Sequence, residues 1–264
     1  KIAANAEDTE SGIHFTSDNE NVTTVSADGT VTIKNAGTAK ITVSMDESQN
    51  FLAVSKEVTV TVAPKEITVT PDNASKVYGE SDKEFTYTPS GLVGEDTLSD
   101  ITLSRAEGDN VGTYEITAAQ KKGANPNYSV KFNKGTFTIN PKEITVTITP
   151  NGGTYEGNII SAAAVLNGLV GEYKPEIILT YAGKANDGTE VNGTKTPVLA
   201  GTYTVTASIT DSNYNLKAEG TTAEFVVTKA TQGLSVAAVS DKSYGEGAFK
   251  LGVSNKGDGS KSYA

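Results

Sequence analysis

PKEITVT stands at residues 64–70, and the same seven residues return at 141–147. The offset is 141 − 64 = 77 residues. GLVGE repeats at that offset, at 91–95 and 168–172, and Tyr78 and Tyr155 are also 77 apart (155 − 78). Three short matches at one spacing define a duplicated module, not a recognition motif. Within the heptapeptide, Pro64 and Pro141 follow the last strand of one module, where a missing N–H does no harm and the preceding residue is held extended. Ile67 and Val69, like Ile144 and Val146, then alternate with polar residues and open the next sheet at once. The repeat therefore reads as a joint without a flexible linker, which restricts the angle between neighbours. A third joint, VVTKAT at 226–231, lacks the proline. There the angle should be least fixed.

Other markers repeat more loosely. AGTAKIT at 36–42, VGTYEIT at 111–117 and AGTYTVT at 200–206 correspond. Each is followed by an Asn-aromatic pair, Asn50-Phe51, Asn127-Tyr128 and Asn213-Tyr214, and then by a joint at Lys65, Lys142 or Lys229. The third module is longer between GLVGE and AGTYTVT, by (200 − 168) − (111 − 91) = 12 residues. These markers divide the chain into 1–63, 64–141, 142–229 and a partial copy from 230 to 264.

The stretches between the markers read as strands. Val58, Val60 and Val62 alternate with Thr59 and Thr61; Phe137 and Ile139, and Phe225 and Val227, each share one face. Period-two alternation with threonine on the other face describes antiparallel sheets buried on one side. Asp28-Gly29, between Ala27 and Thr30, is a hairpin signal. Short strands with turn residues at close intervals predict an all-β fold: tandem small immunoglobulin-like β-sandwich domains in an extended array.

Composition excludes much. Formal charge is 22 − 32 = −10 and Arg105 is the single arginine, so phosphate backbones and anionic membranes are repelled. There is no cysteine, which removes disulfides, thiolate catalysis and thiolate-bound zinc. No run of about 18 apolar residues is present to span a membrane.

The residues also resemble known families. NVTTVSADGTVTIKNAGTAKITVS at 21–44 is similar to group 2 bacterial immunoglobulin-like (Big) domains, with Val22, Val25, Gly29, Val31, Gly37 and Ile41 on the signature positions. Residues 64–141 resemble the mostly-β, glycine-rich (MBG) repeats of bacterial surface proteins, through KVYGE, GLVGEDTL, GTYEIT, the Asn-Tyr pair and TIN-PK. Residues 142–229 look like a diverged relative with the opening glycine displaced to Gly157, and SDKSYGEGAFKLGVS at 240–254 resembles the start of another Big-like copy. The resemblance implies an extracellular or cell-surface multi-domain protein and a non-catalytic stalk segment. It supplies no catalytic residue to carry over.

Site chemistry is sparse. His14, the single histidine, lies in the alternating stretch GIHFTS and reads as a strand residue. The acidic pairs Glu7-Asp8, Asp46-Glu47 and Glu95-Asp96 are adjacent residues pointing to opposite faces, unlike carboxylates paired across a cleft. KGDGS at 256–260 and NGGT at 151–154 are turns, not phosphate loops. No catalytic residue, metal or cofactor is expected. Tyr78/Tyr155, Tyr114/Tyr203 and Tyr128/Tyr214 recur at equivalent positions, as core or corner tyrosines do. Tyr173 and Tyr181 instead flank the enlarged segment. The loops around YAGKANDGTEVNGT (181–194) are the candidate ligand surface, with Tyr173, Tyr181, Asn186 and Asp187, and the partner there would be a glycan or an extracellular protein. A Lys–Asn or Lys–Asp isopeptide would need a buried lysine beside such a side chain, which sequence alone does not show.

Setting Lys250-Leu251 on Lys1-Ile2 puts the last copy in frame with the first. In that frame 230–249 supplies what the first copy lacks. Either the tail of one molecule completes the head of the next by strand addition, or the tail is left unpaired. The overall reading is a spacer that holds something away from the cell; the alternative is an adhesive module acting through the third domain.

Overall fold

The computed structural model describes residues 12–155 and 161–257. The readings that involve Lys1-Ile2, the Glu7-Asp8 pair, Gly157 and the end of KGDGS fall outside them. Every regular element among the described residues is a strand or an isolated turn; none is a helix. The chain divides into two compact units, Lys1–Asn140 and Pro141–Ala264.

The first unit opens with β1 (Ile13–Ser17), β2 (Thr23–Val25), β3 (Val31–Ile33), β4 (Gly37–Met45) and β5 (Val54–Val62). They form a three-stranded sheet, β1-β4-β5, and a two-stranded ribbon, β2-β3. The Asp28-Gly29 signal does make the ribbon turn. Ser26 N–H donates to Thr30 O, Gly29 takes φ +76°, and the Asp28 carboxylate accepts from the Thr30 N–H and hydroxyl. Val22 and Ile41 are buried, and Gly37 lies so close to Val22 that a Cβ would come within 2.7 Å of it.

In the same unit follow β6 (Lys65–Pro71), β7 (Ala74–Val77), β8 (Tyr87–Ser90), β9 (Ile101–Arg105), β10 (Gly112–Gln120), β11 (Tyr128–Phe132) and β12 (Gly135–Asn140). Two sheets result, β7-β12-β10-β9 and β11-β6-β8. Alternation buries Ile116, Phe137 and Ile139 from the first, and Ile67, Val69 and Tyr128 from the second.

Sheet direction corrects the expectation of purely antiparallel pairing. β6 pairs parallel with β11, and β7 parallel with β12. It goes with a change of sheet beyond β6, which ends at Pro71. The chain changes sheets across Asp72-Asn73, so one opening strand serves both sheets, beside the last strand of each. Gly135 makes this possible: a Cβ there would come within 2.7 Å of Pro71 O.

The second unit repeats the plan with β13 (Lys142–Thr149), β14 (Gly153–Thr154), β15 (Ala163–Asn167), β16 (Ile177–Ala185), β17 (Glu190–Gly193), β18 (Gly201–Ile209), β19 (Tyr214–Leu216) and β20 (Thr222–Thr228). Its sheets are β15-β13-β19 and β14-β20-β18-β16-β17. The parallel pairs recur as β13 with β19 and β14 with β20. Tyr181, Tyr203, Val205, Phe225 and Val227 form the core. Beyond this module β21 (Gly233–Val236) and β22 (Val253–Lys256) make an antiparallel ribbon.

The tyrosines sort as their repetition predicts. Tyr114 donates its hydroxyl to Asn110 O and Tyr203 to Leu199 O, each four residues upstream, as in a tyrosine corner. Tyr128 and Tyr214 each accept an N–H from the GLVGE motif of their own module, from Val93 and Val170.

Candidate functional site

The joint between the first two modules is built from a residue whose role the sequence did not disclose. β5 ends at Val62 and β6 begins at Lys65, leaving two residues between sheets. Asn127 sits beside this joint at the start of β11. Its backbone carbonyl accepts from Lys65 N–H at 2.9 Å. Its side chain reaches back to the first module, where Oδ1 accepts from Ala36 N–H and Nδ2 donates to Asn35 Oδ1, both at 2.8 Å. One amide thus uses donor and acceptor together, which fixes orientation better than a single bond. Asn213 repeats the backbone half of this arrangement, accepting from Lys142 N–H at 2.9 Å. The signal was present as the recurring Asn-aromatic pair, but only its aromatic half was interpreted. At the third joint β20 ends at Thr228 and β21 begins at Gly233, a gap of four residues.

The enlarged segment of the third module is not a loop surface. Residues 181–194 form a hairpin in which β17 is added to the sheet edge beside β16. Its turn copies the one in the first module: Ala185 N–H donates to Thr189 O, Gly188 takes φ +93°, and Asp187 Oδ1 accepts from Thr189 N–H. The Thr189 N–H and hydroxyl hold the Asp187 carboxyl below its usual range. Asp187-Gly188 is the same hairpin signal as Asp28-Gly29, so this strand was legible.

The four residues named for this surface do not converge. Tyr181 is 3% exposed, packs edge-on to Phe225, and accepts from Ala162 N–H through its hydroxyl. It is a core residue. Tyr173 is exposed and occupies the repeat position of Asp96 (96 + 77 = 173), whose carboxylate accepts the Tyr128 hydroxyl in the second module. Asn186 and Asp187 do stay together. They line a cleft of about 420 Å³ with Tyr155, Leu199, Ala200, Lys229, Ala230 and Gln232. A second cleft, about 350 Å³, lies between β17 and residues 195–199.

The densest charge cluster lies in the second module, on the inward face of its four-stranded sheet. Lys76 from β7 and Arg105 from β9 approach from opposite edges and meet over the Phe137 ring. Lys76 Nζ lies 2.7 Å from Asp82 Oδ1 and 3.2 Å from Asp109 Oδ1; Arg105 binds the same two carboxylates. Donation by Arg105 and Lys76 depresses the Asp82 pKa, and donation by Lys76 and Arg105 depresses that of Asp109. Asp82 in turn raises both cations, against desolvation. All four are thereby moved away from neutral pH, the reverse of what proton transfer requires. His14 lies on the polar face of β1, exposed, 3.3 Å from Asp46. Among the described residues no group of three or more potential ligands could hold a metal ion.

Residues 67–138 match the family model of the MBG domain (YGX type). The Tyr78-Gly79-Glu80 turn lies in this stretch, with Gly79 at φ +86° and Glu80 N–H donating to Val77 O. The chain is also similar to a solved structure described as surface layer protein SbsC, domains 4–9, at 16% identity and TM-score 0.23. That alignment covers 90% of this chain and 42% of the other, so the chain spans less than half of that structure. No curated protein matches.

Proposed function

We propose that the chain is a non-catalytic spacer segment of a bacterial cell-surface or secreted multi-domain protein. In this reading the first module is a Big domain, the third a longer relative of the MBG-type second, and the region from 230 the start of another Big-like copy. The observation that carries it is the Asn127 clamp. A two-residue joint braced by a side chain from one module on the loop of its neighbour holds those modules in one orientation, which a spacer needs and a catalyst does not. Replacing Asn127 with alanine should free the first two modules to reorient. Residual dipolar couplings of the full chain should fit one alignment frame for both modules in the native protein and two in the variant. Neither module should lose more than about 1 kcal/mol, the worth of an ordinary hydrogen bond. Two frames in the native protein would remove the basis of the reading.

One observation favours an adhesive role as a second reading. The cleft beside Asn186 and Asp187 has the size of a small-ligand site and mixes an aromatic ring with amide, carboxylate and ammonium groups. An array of glycans and matrix proteins separates the two readings. A spacer shows no saturable binding; an adhesin binds and loses binding when residues 186–193 are shortened.

A further inference from the structure

The cleft beside Asn186 and Asp187 occupies a place that another copy of the same motif fills with a carboxamide. AGTAKIT and AGTYTVT put Ala36 and Ala200 at equivalent positions, one residue ahead of β4 and β18. At the first joint the Ala36 N–H donates to Asn127 Oδ1 at 2.8 Å, and the Asn127 amide nitrogen donates to Asn35. Ala200 instead lines the cleft. Its carbonyl accepts from Asn186 N–H, but among the described residues its own N–H has no hydrogen-bond partner. The residue before it differs too. Asn35 and Asn110 hold that position in the first two copies, whereas the third has Leu199, which also lines the cleft.

A ligand suited to this place brings a carbonyl oxygen for the Ala200 N–H. Where Asn35 offers a polar side chain to Asn127, it brings an apolar group for Leu199. An acetamido group supplies both, a carbonyl oxygen and a methyl on one carbon. The rest of the lining suits a hydroxylated ring behind that group. Tyr155 packs against the core cluster of the module, so its ring is fixed in advance. It shares the cleft with the amides of Asn186 and Gln232 and the carboxylate of Asp187. An aromatic surface beside such donors and acceptors matches a sugar, which has C–H bonds on its faces and hydroxyls around its rim.

We infer that the cleft binds saccharides carrying an acetamido group, with the acetamido carbonyl on the Ala200 N–H and its methyl against Leu199. The inference rests on the adhesive reading of this cleft and gives it a ligand class. A sugar with a plain hydroxyl at the same carbon leaves Leu199 uncovered and loses the amide-to-carbonyl bond. The site therefore discriminates by that one substituent.

Titrating the full chain with a trimer of N-acetylglucosamine, and with a glucose trimer of the same linkage, tests this by NMR. The acetylated trimer should bind saturably and shift the Ala200 amide resonance. The glucose trimer should bind at least about tenfold more weakly, the loss of one hydrogen bond and one methyl contact. Leu199→Asn should weaken the acetylated trimer about fourfold, the worth of one methyl group, and Leu199→Met should keep its affinity. Unchanged exchange protection in β18 and β20 shows that each variant is folded, and the comparison of the two sugars needs no variant. Equal affinity for both trimers, or an Ala200 amide that does not shift, overturns the acetamido assignment and leaves the adhesive reading standing. Failure of both trimers to bind overturns the assignment as well; the adhesive reading falls only if the wider array of glycans and matrix proteins is also silent.

Discussion

Replacing Phe137 with alanine is expected to remove about 4 kcal/mol from the second module, the middle of the range for truncating a buried aromatic. Phe137 is 1% exposed, stands edge-on to Phe85 with ring centroids 5.5 Å apart, and faces Tyr114 across the β10–β12 pair. Its ring is also the surface over which Lys76 and Arg105 are held. Alanine therefore opens a cavity and takes away the partner of two nearly buried cations. A domain of this size has a total stability of about 5–10 kcal/mol, so little should remain. Several modules unfold in one chain, so a single denaturation curve does not isolate the effect. Native-state hydrogen exchange does. Amides of β10 and β12 should lose about a thousandfold protection, while those of β16, β18 and β20 in the other unit stay unchanged.

The second large effect concerns the charges above that ring. Asp82→Asn is expected to destabilise the second module by about 2 kcal/mol, between the worth of an exposed ion pair and the loss from breaking a buried one. The intermediate figure follows from the partial shielding: Lys76 and Arg105 side chains are 6% and 12% exposed, but that of Asp82 is 31%. Replacing Lys76, Asp82 and Arg105 together with apolar residues should be much milder than the single change, because no uncompensated charge is left.

Acidity gives an independent readout. Asp82 and Asp109 have folded pKa values below their unfolded ones. Their contribution is therefore complete above the ordinary carboxylate value near about 4 and is lost as pH falls through the depressed folded values. The cations act in reverse: theirs is complete below their unfolded values and is lost only as strongly alkaline pH rises through the raised ones. Exchange protection of β10 should thus be level around neutrality and fall in acid, and Asp82→Asn should flatten that fall. Arg105 also keeps Asp82 ionised, so Lys76 faces a carboxylate and not an electrophilic acid. The chain's measured mass should equal that of its sequence, with no water lost to an isopeptide.

Much of this fold was readable in the sequence. Alternation in GTFTIN and EFVVT placed Phe137, Ile139, Phe225 and Val227 inward, and repetition alone marked Tyr114, Tyr128, Tyr203 and Tyr214 as structural. Strand direction was less accessible. A parallel and an antiparallel neighbour leave the same period-two pattern, and only the break at Pro71-Asp72-Asn73 hinted that one strand serves two sheets. The candidate site fared worse for a related reason. Tyr181 looked like a loop residue because the hairpin signal at Asp187-Gly188 was not applied to the strand before it. Asn127 was marked only as half of a recurring Asn-aromatic pair, and its role stayed hidden because its side-chain partner lies 92 residues away, at Asn35, which no local pattern encodes.

The parallel pairing of opening and closing strands has a consequence under load. In the second module, tension enters through β6 at one end and leaves through β12 at the other. β6 lies beside β11, and β7 beside β12, each running in the same direction as its neighbour. Pulling the ends apart slides these neighbours past one another, so their hydrogen bonds are strained together. In a hairpin pulled at its two ends the bonds would instead open singly, like a zipper. The third module repeats the geometry through β13 with β19 and β14 with β20. Both modules are thus strung in shear, the loading direction in which a short ladder of weak bonds resists most.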